Sequence, residues 1–88
     1  MSNVTLTEIK QILEIATDQD LPEITLDTNL YEQLGMDSMG AVAMVIEVQR
    51  RFGVRINERD IPRIMTVSEL MESITEVRNA TGRTSSHG

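Results

Sequence analysis

Cysteine is absent from this 88-residue sequence, and histidine occurs only once, as His87. Without cysteine the chain can form neither a disulfide nor a cysteine-ligated metal site. One histidine cannot supply the usual ligand set of a zinc ion. A Ser-His nucleophilic pair would have to use that same residue, in a polar C-terminal segment. Zinc chemistry and self-contained serine catalysis are therefore not expected.

Basic residues and long hydrophobic runs are also scarce. Eight Lys and Arg residues stand against fourteen Asp and Glu, and a net charge of −6 argues against binding nucleic acid. No window approaches the roughly 20 apolar residues of a membrane span. The N-terminus lacks the basic start and apolar run of a signal peptide. We therefore expect a cytoplasmic protein with no membrane or nucleic-acid partner.

The charges that are present divide the sequence into two parts. Residues 1–38 hold eight acids and one base, whereas residues 39–88 hold six acids and seven bases. An acidic surface of this kind can steer basic partners, or it can serve only solubility. Charge alone leaves both interpretations open.

The apolar pattern predicts an all-α fold. Apolar residues at helical spacing predict helices over residues 4–16 and 38–52, and a final helix follows the capping box of Thr66 and Glu69. Between them lie a long, partly apolar first loop, residues 17–37, and a short helix within residues 57–65. We predict a small four-helix bundle, in which residues 1–79 form the single domain and residues 80–88 form a disordered tail. The same pattern assigns Leu6, Leu26 and Met65 to the core.

The run Leu34-Gly35-Met36-Asp37-Ser38-Met39 joins the long loop to the second helix. Gly35 is suited to a left-handed residue that closes the loop. Ser38 is suited to the N-cap of the helix, which would place its hydroxyl at the positive end of the helix dipole. Taken alone, Ser38 is either a simple cap or a serine that is open to modification. Gly40, in the first turn, either leaves room for a bound group or is merely tolerated.

Two apolar stripes run along the second helix. One stripe suits the core and comprises Ala41, Met44, Val45, Val48 and Phe52. The other lies on the neighbouring face and comprises Met39, Val42, Ala43 and Ile46. This second stripe is either a docking surface for partners or a face covered by the other helices.

With this serine, the acidic loop before it and the four-helix layout, the chain resembles the acyl carrier protein family over residues 5–78. The resemblance implies that Ser38 carries a covalent 4′-phosphopantetheine arm, added from coenzyme A by a phosphopantetheinyl transferase. It further implies that Asp37 lies against the transferase and that the arm's thiol holds acyl or aminoacyl groups as thioesters. Partner enzymes would then contact the helix face of Met39, Val42, Ala43 and Ile46.

Within this family, the sequence is more similar to carriers of polyketide or nonribosomal peptide biosynthesis. Fatty-acid carriers typically have a strongly acidic second helix, whereas here Glu47 stands against Arg50 and Arg51. We therefore expect a non-catalytic, monomeric carrier in the biosynthesis of such products, antibiotics among them. It would serve acyl- or aminoacyl-loading enzymes, ketosynthases and other tailoring enzymes. The alternatives are a fatty-acid carrier, an unmodified helical adaptor that docks partners through its second helix, and a hydrolase that uses Ser38.

Overall fold

A computed structural model describes residues 4–87 of the chain, with side chains described for residues 4–80. Its helices, in chain order, are α1 (Leu6–Thr17), α2 (Ser38–Phe52), a 3₁₀ helix (Glu58–Arg63) and α3 (Val67–His87). The predicted all-α fold, a four-helix bundle with a long first loop and a short third helix, is confirmed. Residues 81–88 of the predicted disordered tail, His87 among them, lie outside the described side chains, so the tail stays a prediction.

Helix α1 begins with the capping box that its sequence predicts. The Glu8 amide donates to Thr5 Oγ1 at 3.2 Å, and the Thr5 amide donates in return to Glu8 Oε1 at 3.3 Å. Two amides that the helix itself leaves unpaired are thereby satisfied. At the other end, Asp18 is left-handed with φ 53°, and its amide donates to the last carbonyls of the helix. Both ends of α1 are therefore defined by local sequence.

The core lies where α1 packs against α2 and where α3 and the loops close over them. Its fully buried side chains are apolar and come from the three α-helices, from the first loop and from the residue after the 3₁₀ helix. They are Ile9, Ile12, Leu13, Leu30, Met44, Val48, Ile64, Val67, Leu70 and Ile74. Because burial of one such side chain contributes about 1.5–3 kcal/mol, this set is the main source of the stability of the fold.

The first loop packs onto the core, as its apolar content predicts. Leu21, Ile24 and Leu30 are all buried. Leu26 is an exception, because half of its surface is exposed. The assignment of Leu26 to the core was therefore wrong, and the same holds for Leu6 and Met65, which are 38% and 40% exposed.

Backbone hydrogen bonds tie this loop to the start of α3. The Leu30 amide donates to the Met65 carbonyl at 2.8 Å, and the Val67 amide donates to the Thr28 carbonyl at 3.1 Å. Asn29 and Thr66 form an isolated antiparallel bridge at the same place. This pairing fixes residues 28–30 of the loop against residues 65–67. Its consequence is a fixed path for the chain that leads to α2.

Candidate functional site

A single helical turn leads into the candidate site. Asn29 Oδ1 accepts hydrogen bonds from the amides of Tyr31 and Glu32, so it caps this turn. The turn ends at Gly35, whose φ of 69° is left-handed and whose amide donates to the Tyr31 carbonyl at 3.1 Å. Glycine adopts this conformation without the steric cost of a Cβ. The turn therefore reverses the chain directly before α2, as the sequence predicts.

Asp37, and not Ser38, is the N-cap of α2. Its backbone is extended, and Asp37 Oδ1 accepts a hydrogen bond from the Gly40 amide at 2.8 Å. The prediction that Ser38 caps the helix was wrong by one residue, because both side chains are good caps and the extended conformation falls on the aspartate. Ser38 is instead the first residue of the helix. Its hydroxyl is therefore not needed for capping.

The Ser38 side chain is exposed, and within residues 4–80 its hydroxyl has no hydrogen-bond partner. The amides of Ser38 and Met39 belong to the first turn, where a helix offers no acceptor. The Asp37 side chain satisfies the amide of Gly40, and the Asp37 carbonyl accepts from the amide of Ala41. Ser38 Oγ thus lies beside two free N–H groups at the positive end of α2, where an attached anion would be stabilised.

An open cleft of about 550 Å³ is lined by Asp37 and Met39, the two chain neighbours of Ser38, and Ser38 itself is not part of its lining. Its walls are the C-terminal end of α1, the turn before α2 and the first turns of α2. The Gln19 side chain joins two of these walls, since its Nε2 donates to the Leu34 carbonyl at 2.8 Å. Thr17, Asp18 and Gln19 provide polar lining, whereas Met39 and Ala43 are apolar.

Gly40 is required for close packing at the start of α2. A Cβ at this position would lie 2.8 Å from Met36 Cγ and 3.5 Å from the Ala16 carbonyl oxygen. Such a contact with Met36 is shorter than real Cβ atoms tolerate. The packing of Met36 and the end of α1 therefore explains Gly40, which is more than merely tolerated in the first turn.

The two apolar stripes of α2 differ in burial, because the first stripe faces the core and the second faces solvent. Met39 is 81% exposed, Val42 53% and Ile46 47%, while Ala43 is half-buried. Of the other stripe, Ala41, Met44 and Val48 are buried, and Val45 and Phe52 pack partly against the core. The interpretation that the bundle covers both stripes is therefore wrong, because solvent reaches Met39, Val42 and Ile46. These three residues, with Ala43, are called the α2 face below.

The described part of the chain offers little other chemistry. No group of three or more His, Asp or Glu side chains in it could hold a metal ion. None of its helices is long and apolar enough to cross a membrane. No basic side chain is found hydrogen-bonded to Ser38 within residues 4–80, so the serine has no base there to activate it.

Comparison with known proteins gives the same result as the geometry. A family described as "Phosphopantetheine attachment site" matches residues 6–74. An acyl carrier protein of Onion yellows phytoplasma is 33% identical over 69 residues, which cover 78% of this chain and 91% of the relative. A D-alanyl carrier protein of Streptococcus sanguinis is 31% identical over 75 residues, which cover 83% of this chain and 94% of the relative.

The fold agrees with this result. The solution structure of a holo acyl carrier protein from Geobacter metallireducens superposes with a TM-score of 0.71, covering 96% of this chain and 93% of the other. At 15% identity, this likeness speaks for the fold alone.

The chain belongs to the phosphopantetheine attachment site family, and the expected resemblance to acyl carrier proteins is confirmed. It is a carrier protein, and the cofactor of its family is covalently attached 4′-phosphopantetheine. The residues present fit that group, because Ser38 offers an exposed, unpartnered hydroxyl at the first position of α2. Ser38 lies within the matched residues, and its role as the attachment residue stays a prediction.

Proposed function

We propose that Ser38 carries the 4′-phosphopantetheine arm and that the chain presents acyl or aminoacyl groups to partner enzymes. The observation that carries this proposal is the exposed Ser38 hydroxyl at the first helical position, left free because Asp37 caps α2. Of the serines with described side chains, Ser68 and Ser73 are half-buried on α3. Among the serines of residues 4–80, Ser38 is therefore the one with the best access for another enzyme.

The chain is a substrate of enzymes and not a catalyst. Within residues 4–80 no base is hydrogen-bonded to Ser38, so a phosphopantetheinyl transferase must remove its proton. Ser38 Oγ then bonds to the phosphorus of the phosphopantetheine group as the pyrophosphate bond of coenzyme A breaks and adenosine 3′,5′-bisphosphate leaves. The attached group supplies a thiol, which this cysteine-free chain lacks, and the thiol holds the cargo as a thioester. The two free amides at the start of α2 favour a phosphodiester on Ser38 Oγ. Asp37, exposed directly before Ser38, is the residue that we assign to contact with the transferase.

The α2 face is the surface that we assign to partner enzymes. Its three exposed apolar side chains, Met39, Val42 and Ile46, follow the serine along one side of the helix. Exposed apolar side chains grouped beside a reactive group are typical of a protein interaction site. Loading enzymes, ketosynthases and tailoring enzymes would contact this surface while the arm enters their active sites.

The pathway that we favour is polyketide or nonribosomal peptide biosynthesis in the cytoplasm, with the chain as a monomer. Support comes from α2, whose single acid, Glu47, is paired with Arg50 and therefore does not form an acidic docking helix. The relatives are named as acyl carriers and as D-alanyl carriers at nearly equal identity. This supports a cargo of either the acyl or the aminoacyl class.

The proposed function is tested by incubating the full chain with coenzyme A and a broad-specificity phosphopantetheinyl transferase, followed by intact-mass measurement. We expect a gain of one phosphopantetheine group in the wild type and in Ser68→Ala, which removes another serine from the first turn of a helix. Ser38→Ala should gain nothing. An unmodified wild type, or a modified Ser38→Ala, would refute the assignment. Hydrolysis of an activated ester by the unmodified chain would instead favour a hydrolase.

A further inference from the structure

The α2 face continues beyond its apolar residues to Arg50. Ile46 and Arg50 are four residues apart, so they are neighbours on the same side of the helix. The Arg50 side chain is 73% exposed. The surface that begins at Ser38 thus ends, about 18 Å along the helix at 1.5 Å per residue, in a guanidinium group.

This surface has no free carboxylate on α2. Glu47 is the only acid of the helix, its side chain is 16% exposed, and its Oε2 accepts from Arg50 Nη1 at 3.2 Å. The exposed charge at the far end of the α2 face is therefore positive, in contrast to the acidic chain before Ser38.

The two adjacent arginines point to different sides of the helix. Arg51 Nη1 donates to Gln11 Oε1, so this guanidinium is held against α1. The partner of Arg50, Glu47, lies on its own helix, and the Arg50 guanidinium stays largely exposed while paired with it. Since a guanidinium has five N–H donors, Arg50 can bind a second carboxylate in addition to Glu47.

We propose that the partner enzymes meet the α2 face with an apolar patch whose far edge carries a carboxylate that pairs with Arg50. This inference rests on the proposed function and adds the sign of charge on the partner. Charge complementarity determines the sign of the partner's charge, because a basic partner surface would place like charges opposite each other at Arg50. Apolar contact near Ser38 and a carboxylate contact at Arg50 together define the position of the bound partner along the axis of α2.

Binding of two helical peptides to the full unmodified chain tests this inference. Both peptides have a leucine face. In one the leucines are bordered by Glu, and in the other by Lys. At about 0.15 M salt, where charges are screened beyond about 8 Å, we expect the Glu peptide to bind more tightly and to shift the amide NMR signals of Met39, Val42, Ile46 and Arg50. The negative net charge of the chain favours the Lys peptide non-specifically, which makes this a stringent comparison.

Two charge reversals at neighbouring positions provide the matched comparison. Arg50→Glu should weaken the Glu peptide about tenfold, as expected for a close charge pair that becomes repulsive. Arg51→Glu changes the net charge equally at the same helix end but should alter binding less than about twofold, because Arg51 faces α1. Circular dichroism of both variants should show the wild-type helix content.

Four outcomes would overturn the inference: equal effects of the two reversals, tighter binding of the Lys peptide, binding of neither peptide, and shifts confined to other surfaces. A dimer seen by sedimentation that Arg50→Glu dissociates would also overturn it, by assigning the α2 face to a second copy of this chain. Since the peptides are tested without modification of Ser38, a failure here leaves the mass result for the proposed function unaffected.

Discussion

Removing the carboxylate of Asp37 should weaken the start of α2. In Asp37→Ala, the Gly40 amide loses its acceptor at 2.8 Å, and α2 has no other side-chain cap within the described residues. Loss of an N-cap costs about 0.5–2 kcal/mol, typically about 1 kcal/mol. For a domain of this size, a loss of 1 kcal/mol lowers the melting temperature by about 4–8 °C.

Asp37→Asn is the control that separates capping from charge. Asparagine caps about as well as aspartate, so this variant should lose only the favourable charge at the helix N-terminus, about 0.3–1 kcal/mol. Urea unfolding followed by circular dichroism measures both free energies of unfolding. If Asp37 contacts the transferase through its charge, Asp37→Asn should also be modified more slowly while keeping its helix content. An unchanged unfolding midpoint for Asp37→Ala would refute the assignment of the cap.

Three further predictions concern packing and caps, and urea unfolding checks each of them. Gly40→Ala should lower the free energy of unfolding, because the new Cβ contacts Met36. The double variant with Met36→Ala should lose less stability than the sum of the two single losses, and a loss equal to that sum would contradict the contact. Met44→Glu should unfold the chain by burying a charge, whereas Ile46→Glu on the α2 face should change stability by less than about 0.5 kcal/mol. Thr66→Ala should cost about 1 kcal/mol by removing the acceptor of the Glu69 amide, and no loss would argue against that capping box.

Helices and caps could be predicted because the signals for them are local. The capping boxes of Thr5 and Thr66, and the bounds of α2, each depend on residues within one or two turns of one another. The left-handed Gly35 was predictable for the same reason. Local hydrogen bonding also explains the one-residue error at Ser38, since Asp37 and Ser38 are both suitable caps and only the backbone conformation separates them.

Burial was less predictable, because it depends on what the rest of the chain covers. Leu26 and Met65 have apolar side chains at suitable positions, yet both are exposed where the first loop meets the start of α3. The loop and α3 are joined there by a long-range contact, the bridge between Asn29 and Thr66, which no local sequence pattern predicts. Periodicity shows that a residue can face the core, and it does not show whether a neighbour closes over it.

The candidate site combines both kinds of information. The motif around Ser38 and the apolar stripe of the α2 face are visible in the sequence. The role of Gly40 was not visible, because its close neighbours, Met36 and the carbonyl of Ala16, are identified only once α1 and α2 are packed together. The free hydroxyl of Ser38 likewise follows from the capping by Asp37, a hydrogen bond that the structure reveals.

The most direct test is to locate the modification in the chain. After reaction with coenzyme A and a transferase, proteolysis and tandem mass spectrometry should find the phosphopantetheine group on the peptide that contains Ser38, attached to its hydroxyl. The peptides that contain Ser68 and Ser73 should be unmodified. Attachment at either of those serines, with Ser38 unmodified, would contradict the account.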